Sequence, residues 1–157
     1  EIPRQSLYRT FSDKRTLFLR ALELYGNRMS GTISNILQAD GLAIDNINSL
    51  FKLWNDGLTS AERDGCMMQN TCSQSEQTDK EAVALVTAHQ KRITKSFEQA
   101  LKQGQLEGSI SKSIDTRAVA RTIISSINGL FGLSRMGLKT EFSNDVIKTL
   151  KSLIQVS

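Results

Sequence analysis

One proline, Pro3, in 157 residues is the feature that most limits what this chain can become. Proline removes a backbone donor and clashes with the preceding helical turn, so a chain without it past position 3 has little to interrupt long helices. The apolar residues then recur at spacings of three and four. Ser12 offers an N-cap with Asp13 in the first turn, followed by Leu17, Phe18, Ala21, Leu22, Tyr25 and Met29 in one stripe. The exit is expected at Ser30-Gly31, or at Asp40-Gly41 because Ile33, Ile36 and Leu37 continue that face. Asp45 is expected to cap a second helix carrying Ile47, Leu50, Phe51, Trp54 and Leu58. A short helix over 65–72 precedes a polar loop, and Thr78 or Asp79 opens a long helix through Val86, His89, Ile93, Phe97 and Leu101 that stops at Gly104, with Gly108 close behind. Asp115 or Ser113 starts another, and the last is expected from about Ser143 to Gln155. No stretch alternates polar and apolar long enough for a strand, so the expected class is all-α.

Length and composition, 39% hydrophobic and 23% charged, suit a chain that buries a core without metals or disulfides. No apolar run reaches the roughly 18 residues that a membrane span needs, and no signal-peptide pattern is present, so a cytoplasmic chain with no membrane partner is expected. Cys66 and Cys72 are the two cysteines. Their spacing lacks the companions of a zinc site, which favours reduced, packed thiols and leaves a redox pair as the alternative. The net charge of +4 is unevenly placed: Arg4, Arg9, Lys14, Arg15, Arg20 and Arg28 stand against only Glu1, Asp13 and Glu23 in the first 28 residues. An anionic partner at that end is one reading, and a solvated basic face is the other.

From Val119 to Leu138 the sequence is apolar or small nearly all round. A helix of that kind is buried on more than one side. With the stripe of the last helix it suggests a homodimer through Ile123, Ile127, Leu130, Ile147, Leu150 and Ile154, the alternative being a purely internal helix. A mostly apolar effector pocket is expected from Phe51, Trp54, Met67, Met68, Asn70, His89, Phe97, Asn128 and Phe131, with ordinary core packing as the alternative for each. No phosphate loop, nucleophile elbow, metal-binding histidine pair or carboxylate dyad is visible, so no catalytic residue, metal or cofactor is expected.

The opening stretch "EIPRQSLYRTFSDKRTLF" resembles the recognition helix and following helix start of the tetracycline-repressor (TetR) family of bacterial transcription regulators. Leu7, Tyr8, Phe11 and Lys14 match the family pattern, whereas Glu1, Pro3 and Thr10 depart from it. Weaker resemblance continues through Gly65-Cys66, "QGQLEG" at 103–108 and "DTRAVAR" at 115–121. The resemblance implies a TetR-like helical bundle, with residues 1–30 the remainder of a helix-turn-helix head whose two supporting helices would precede Glu1, and 31–157 a ligand-binding and dimerisation domain. In such a head Leu7 and Phe11 would face inward. Arg4, Gln5 and Ser6 would lie near base edges of a double-stranded DNA operator, and Tyr8, Arg9 and Lys14 on phosphates. A surface tyrosine at Tyr8 and a solvated lysine at Lys14 are the alternatives. The implied function is a ligand-responsive regulator, a repressor released from its operator by a small-molecule effector; a helical small-molecule-binding or dimeric adaptor protein without DNA function remains the other reading.

Overall fold

The computed structural model describes residues 11–60, 65–74, 79–137 and 139–156, which form six helices and no strand among them. They are α1 (Lys14–Leu37), α2 (Ala43–Thr59), α3 (Met67–Gln74), α4 (Lys80–Glu107), α5 (Thr116–Ser134) and α6 (Thr140–Ser152). None of these helices is long and apolar enough to cross a membrane. The central member is α4, which packs against α1, α2, α3 and α5, while α6 closes the bundle on α2 and α5.

The helix ends show which sequence signals operate. Asp79 caps α4 by accepting from the Ala82 amide at 3.1 Å, and Asp115 caps α5 by accepting from Arg117 and Ala118 at 2.9 and 3.1 Å. At α1 the cap is Asp13 rather than Ser12, its carboxylate accepting from the Thr16 amide at 2.7 Å. Ser12 itself stands in the left-handed region at φ 52°, outside cap geometry. Nor does Asp45 cap α2: it lies in the first turn, and the Ala43 amide instead donates at 2.5 Å to Glu107 at the far end of α4. The Ser109 hydroxyl also donates to Glu107, at 2.7 Å, and this hydrogen bond first and the Ala43 amide second hold the Glu107 carboxyl below its ordinary range.

Two expected boundaries move. Helix α4 passes Gly104 and ends at Glu107, with Gly108 at φ 80° as its left-handed terminator. Gly104 is small for another reason: a Cβ there would stand 2.4 Å from Cδ1 and 2.5 Å from Cγ1 of the buried Ile110. Helix α6 begins at Thr140, ahead of Ser143, whose buried hydroxyl donates to the Thr140 carbonyl at 2.9 Å. The boundary expected at residue 30 falls within α1, which runs unbroken to Leu37.

Two clusters of buried side chains result. The larger joins Ile33 and Leu37 of α1 to Ile47, Phe51 and Trp54 of α2, Ile93 and Phe97 of α4, and the inward faces of α5 and α6. The smaller contains Leu22, Met68, Ala82 and Val86, with Leu19, Tyr25, Cys66, Met67 and Leu85 packed around it. The larger one takes in all six residues expected at a dimer face, each no more than 6% exposed within a single chain. Their three-and-four spacing turns those of α5 toward α2 and α4, and those of α6 toward α2 and α5. The outward faces of α5 and α6 are formed by other residues, among them the exposed Leu133 and Phe142.

Candidate functional site

The first half of α1 lies along the first half of α4, and the seam between them is held by polar groups. At its open end Arg15 reaches Asp79 at 3.0 Å and Glu81 at 2.8 Å. About three turns of α1 further in, Gly26 leaves room for Met68, whose Cε would sit 2.2 Å from a Cβ at that position. Beside it lies His89, 3% exposed, with Nδ1 at 3.2 Å from the Gly26 carbonyl and 2.9 Å from the Ser30 hydroxyl. With the proton on Nδ1 the ring donates to the Gly26 carbonyl, and in the other neutral tautomer Nδ1 accepts from the Ser30 hydroxyl. Burial pushes the His89 pKa below its ordinary value; the Gly26 carbonyl works against that, and the nearby Arg92 charge adds to it. Arg92 also bridges to α1, donating to Asn27 Oδ1 at 3.1 Å.

Past this seam the large cluster is centred on three rings. Trp54 and Phe97 stack at 5.7 Å, and Phe51 meets them at 6.1 and 6.2 Å in edge-on and tilted arrangements. Phe131, half-buried, packs against the same cluster. Asn128, also half-buried, donates to Gln90 Oε1 at 3.1 Å across the α4–α5 contact. Seven of the nine residues expected at a pocket therefore divide between two neighbourhoods, with Asn70 and Asn128 in polar contacts outside them. Phe51, Trp54, Phe97 and Phe131 are in the aromatic core, whereas Met67, Met68 and His89 line the seam. Asn70 of α3 accepts from Arg135 at 3.0 Å. Close to the seam the Tyr25 hydroxyl stands 3.7 Å from Cys66 Sγ, its pKa pushed up to about 12 by burial first and by Cys66 second.

Of the residues expected to touch DNA, Lys14 is exposed in the first turn of α1, beside the Arg15 ion pairs. Arg4, Gln5, Ser6, Tyr8 and Arg9 lie outside the described residues. Sequence reading missed Asn27, Ser30 and Arg92. The available signal was a polar interruption one turn apart on each helix, His89 with Arg92 and Asn27 with Ser30, inside otherwise apolar stripes.

The sequence profile of the family described as "Tetracyclin repressor-like, C-terminal domain" matches residues 43–150, from the start of α2 to near the end of α6. The chain belongs to the tetracyclin repressor-like family. A curated relative, the "Uncharacterized HTH-type transcriptional regulator YezE" of Bacillus subtilis (strain 168), is 28% identical over 122 residues, which are 76% of this chain and 63% of that protein. The chain thus spans less than two thirds of that relative's length. Among solved structures, a TetR-family transcriptional regulator from Agrobacterium tumefaciens aligns with a TM-score of 0.87 at 15% identity, over 99% of this chain and 82% of the other. The reduced form of NemR from E. coli aligns at 0.85 and 16%, again over 99% and 82%. The regulatory protein TetR from Rhodobacter sphaeroides aligns at 0.87 and 16%, over 98% and 82%. At these identities the likeness establishes the TetR-like all-α fold, and the profile match establishes the family.

Proposed function

We propose that this TetR-family protein is a dimeric, non-catalytic DNA-binding regulator that acts in the cytoplasm and is released from its operator by a small, largely apolar effector. The observation that carries the reading is the α1–α4 seam. One continuous helix, α1, begins at the basic end that contains Lys14 and finishes with Ile33 and Leu37 in the aromatic core. The partner in that seam, α4, carries Phe97 in the same core. A ligand bound against the aromatic core would bias the adaptable seam, so that α1 shifts against α4 at the Gly26, Asn27 and Ser30 contacts and alters the spacing of two DNA-reading heads. Residues 1–30 would belong to the head, with Arg4, Gln5 and Ser6 reading bases and Tyr8, Arg9 and Lys14 holding phosphates; the rest of the chain would bind effector and partner subunit.

For the dimer, the outward face of α5 supports a close approach. Ala118, Thr122, Ser125 and Gly129 form an exposed small-residue stripe that continues into Leu133, with Phe142 and Leu153 exposed on α6. A Cβ at Gly129 would meet nothing within 4 Å of its own chain. Gly129→Arg should therefore turn a dimer into a folded monomer in light scattering, whereas Ile127→Glu, which buries a charge, should unfold it. An unchanged dimer in Gly129→Arg removes this face. For the DNA function, fluorescence anisotropy on a near-palindromic operator selected from random duplexes should show salt-dependent binding, its slope reduced by about one in Lys14→Ala. Failure of the full-length protein to enrich any duplex contradicts the reading.

A further inference from the structure

A second feature adjoins the seam cluster, with which it shares Val86, and opens on the α5 side of α4. Between α4 and α5 runs a surface groove of about 480 Å3, with the nearly buried Val86 at its floor and Thr87, Gln90 and Thr94 on its α4 wall. Its charged lining is Lys91 and Lys95 from α4 and Arg117 and Arg121 from α5, against the single carboxylate of Glu98. Each pair is four residues apart, so two cations stack on each wall, one turn above the other. Among the described residues none of these four cations forms an ion pair. Glu98 gives its closest contact to Lys102, whose hydrogen bond is the chief cause that holds its carboxyl below the ordinary range, and the charges of Arg117 and Arg121 add to this at longer range. No acidic residue occurs anywhere in α5.

We propose that this groove binds a small organic anion carrying two oxyanion groups, phosphate or carboxylate, one for each stacked tier of cations. Arginine on one wall supplies forked donors suited to such groups, and lysine on the other supplies point charges. The threonine hydroxyls and the Gln90 amide add neutral donors, and Val86 provides an apolar floor for a short carbon backbone. Duplex DNA fits less well. Lys91 and Lys95 lie 11 and 15 residues beyond Lys80 along α4, about 16 and 22 Å from the end of α4 that Arg15 ties to the start of α1. The site is also distinct from the aromatic core: Phe51, Trp54 and Phe97 do not line the groove, although its floor residue Val86 belongs to the same helical stripe as Ile93 and Phe97.

The test is calorimetric titration of the purified protein with pyrophosphate and, in parallel, with succinate, each against sodium chloride at matched ionic strength. One of the two anions should bind with saturation that chloride does not reproduce, which also decides between phosphate and carboxylate. Lys95→Gln and Arg121→Gln, which keep the stems that cover the groove, should each weaken that binding about tenfold. Arg28→Gln, an exposed cation on α1, should leave it unchanged, and thermal melts of the anion-free variants confirm that they fold. The proposal fails if neither anion binds more than chloride does. It fails equally if both groove variants bind as the wild type does, or if they lose affinity for duplex DNA while retaining the anion, since the cations would then belong to a DNA surface.

Discussion

The two buried clusters of this protein are built on different principles, although α1 and α4 run through both. The aromatic core brings together apolar side chains from α1, α2, α4, α5 and α6, with three rings in contact at its centre. Among the described residues the seam cluster has four buried apolar members, and around the partly buried Leu19, Tyr25, Cys66, Met67 and Leu85 its remaining cohesion comes from a histidine, a serine, an arginine and ion pairs. Interlocked rings and β-branched residues resist small changes of shape, whereas a methionine terminus and long polar side chains adapt to them. The core is thus suited to fix the bundle, and the seam to let α1 shift against α4.

The largest expected effect comes from cutting the core. Phe97→Ala removes a fully buried ring that touches both Phe51 and Trp54, and should destabilise the protein by about 3–5 kcal/mol in denaturant unfolding. A comparable loss from a seam variant such as Met68→Leu would erase the distinction drawn here.

A pair of glycine substitutions sharpens the comparison at intermediate size. Gly104→Ala drives a methyl against the β-branched Ile110, whose Cβ, Cγ1 and Cδ1 are all within 3.0 Å of the new atom, and should cost about 1–3 kcal/mol. Gly26→Ala meets only the Met68 terminal methyl at short range, which can rotate aside. Its gain of up to about 1 kcal/mol in helix propensity should leave it close to neutral. Equal costs in thermal melts would show that the seam is as rigid as the core.

The smallest effect is electrostatic and belongs to the seam alone. Because the folded-state pKa of His89 lies below the unfolded value of 6.5, the unfolded chain takes up its proton first as pH falls. Its contribution is fully present above pH 6.5 and is lost progressively as pH drops from there through the folded pKa. The lowered carboxyls of Asp13, Asp79, Glu98 and Glu107 act in a separate, more acidic range, below the ordinary carboxyl values. Unfolding free energies between pH 7 and pH 5 should therefore fall in the wild type and change less in His89→Gln. Parallel slopes would assign the loss to other groups.

What could be read from the sequence follows the range of the interactions. Local signals were legible: the all-α class from the spacing of apolar residues, and the caps at Asp79 and Asp115, which bind amides two or three residues away. Some failures are local, such as the α1 cap at Asp13 instead of its neighbour Ser12, and the others are matters of distance along the chain. Glu107 caps α2 from 64 residues away, so Asp45 was the only local candidate. Gly104 looks like a helix stop until Ile110 is seen to pack on it. The pattern of α5 and α6 showed two faces able to be buried, but periodicity cannot say which of them faces the chain's own core. Ile123, Ile127, Leu130, Ile147, Leu150 and Ile154 all face inward, and the small stripe faces out. The expected pocket residues likewise carried no signal of their division between core and seam.

Hydrogen–deuterium exchange of the full-length protein, free and bound to its selected operator, tests the division between a fixed core and a movable seam most directly. In the free protein, amides of residues 14–30 in α1 and 80–92 in α4 should exchange faster than those of α2 and residues 97–107, and operator should slow the first set while leaving the second unchanged. Uniform exchange along α1 and α4, or protection by DNA that falls on the aromatic core instead of the seam, would contradict the account.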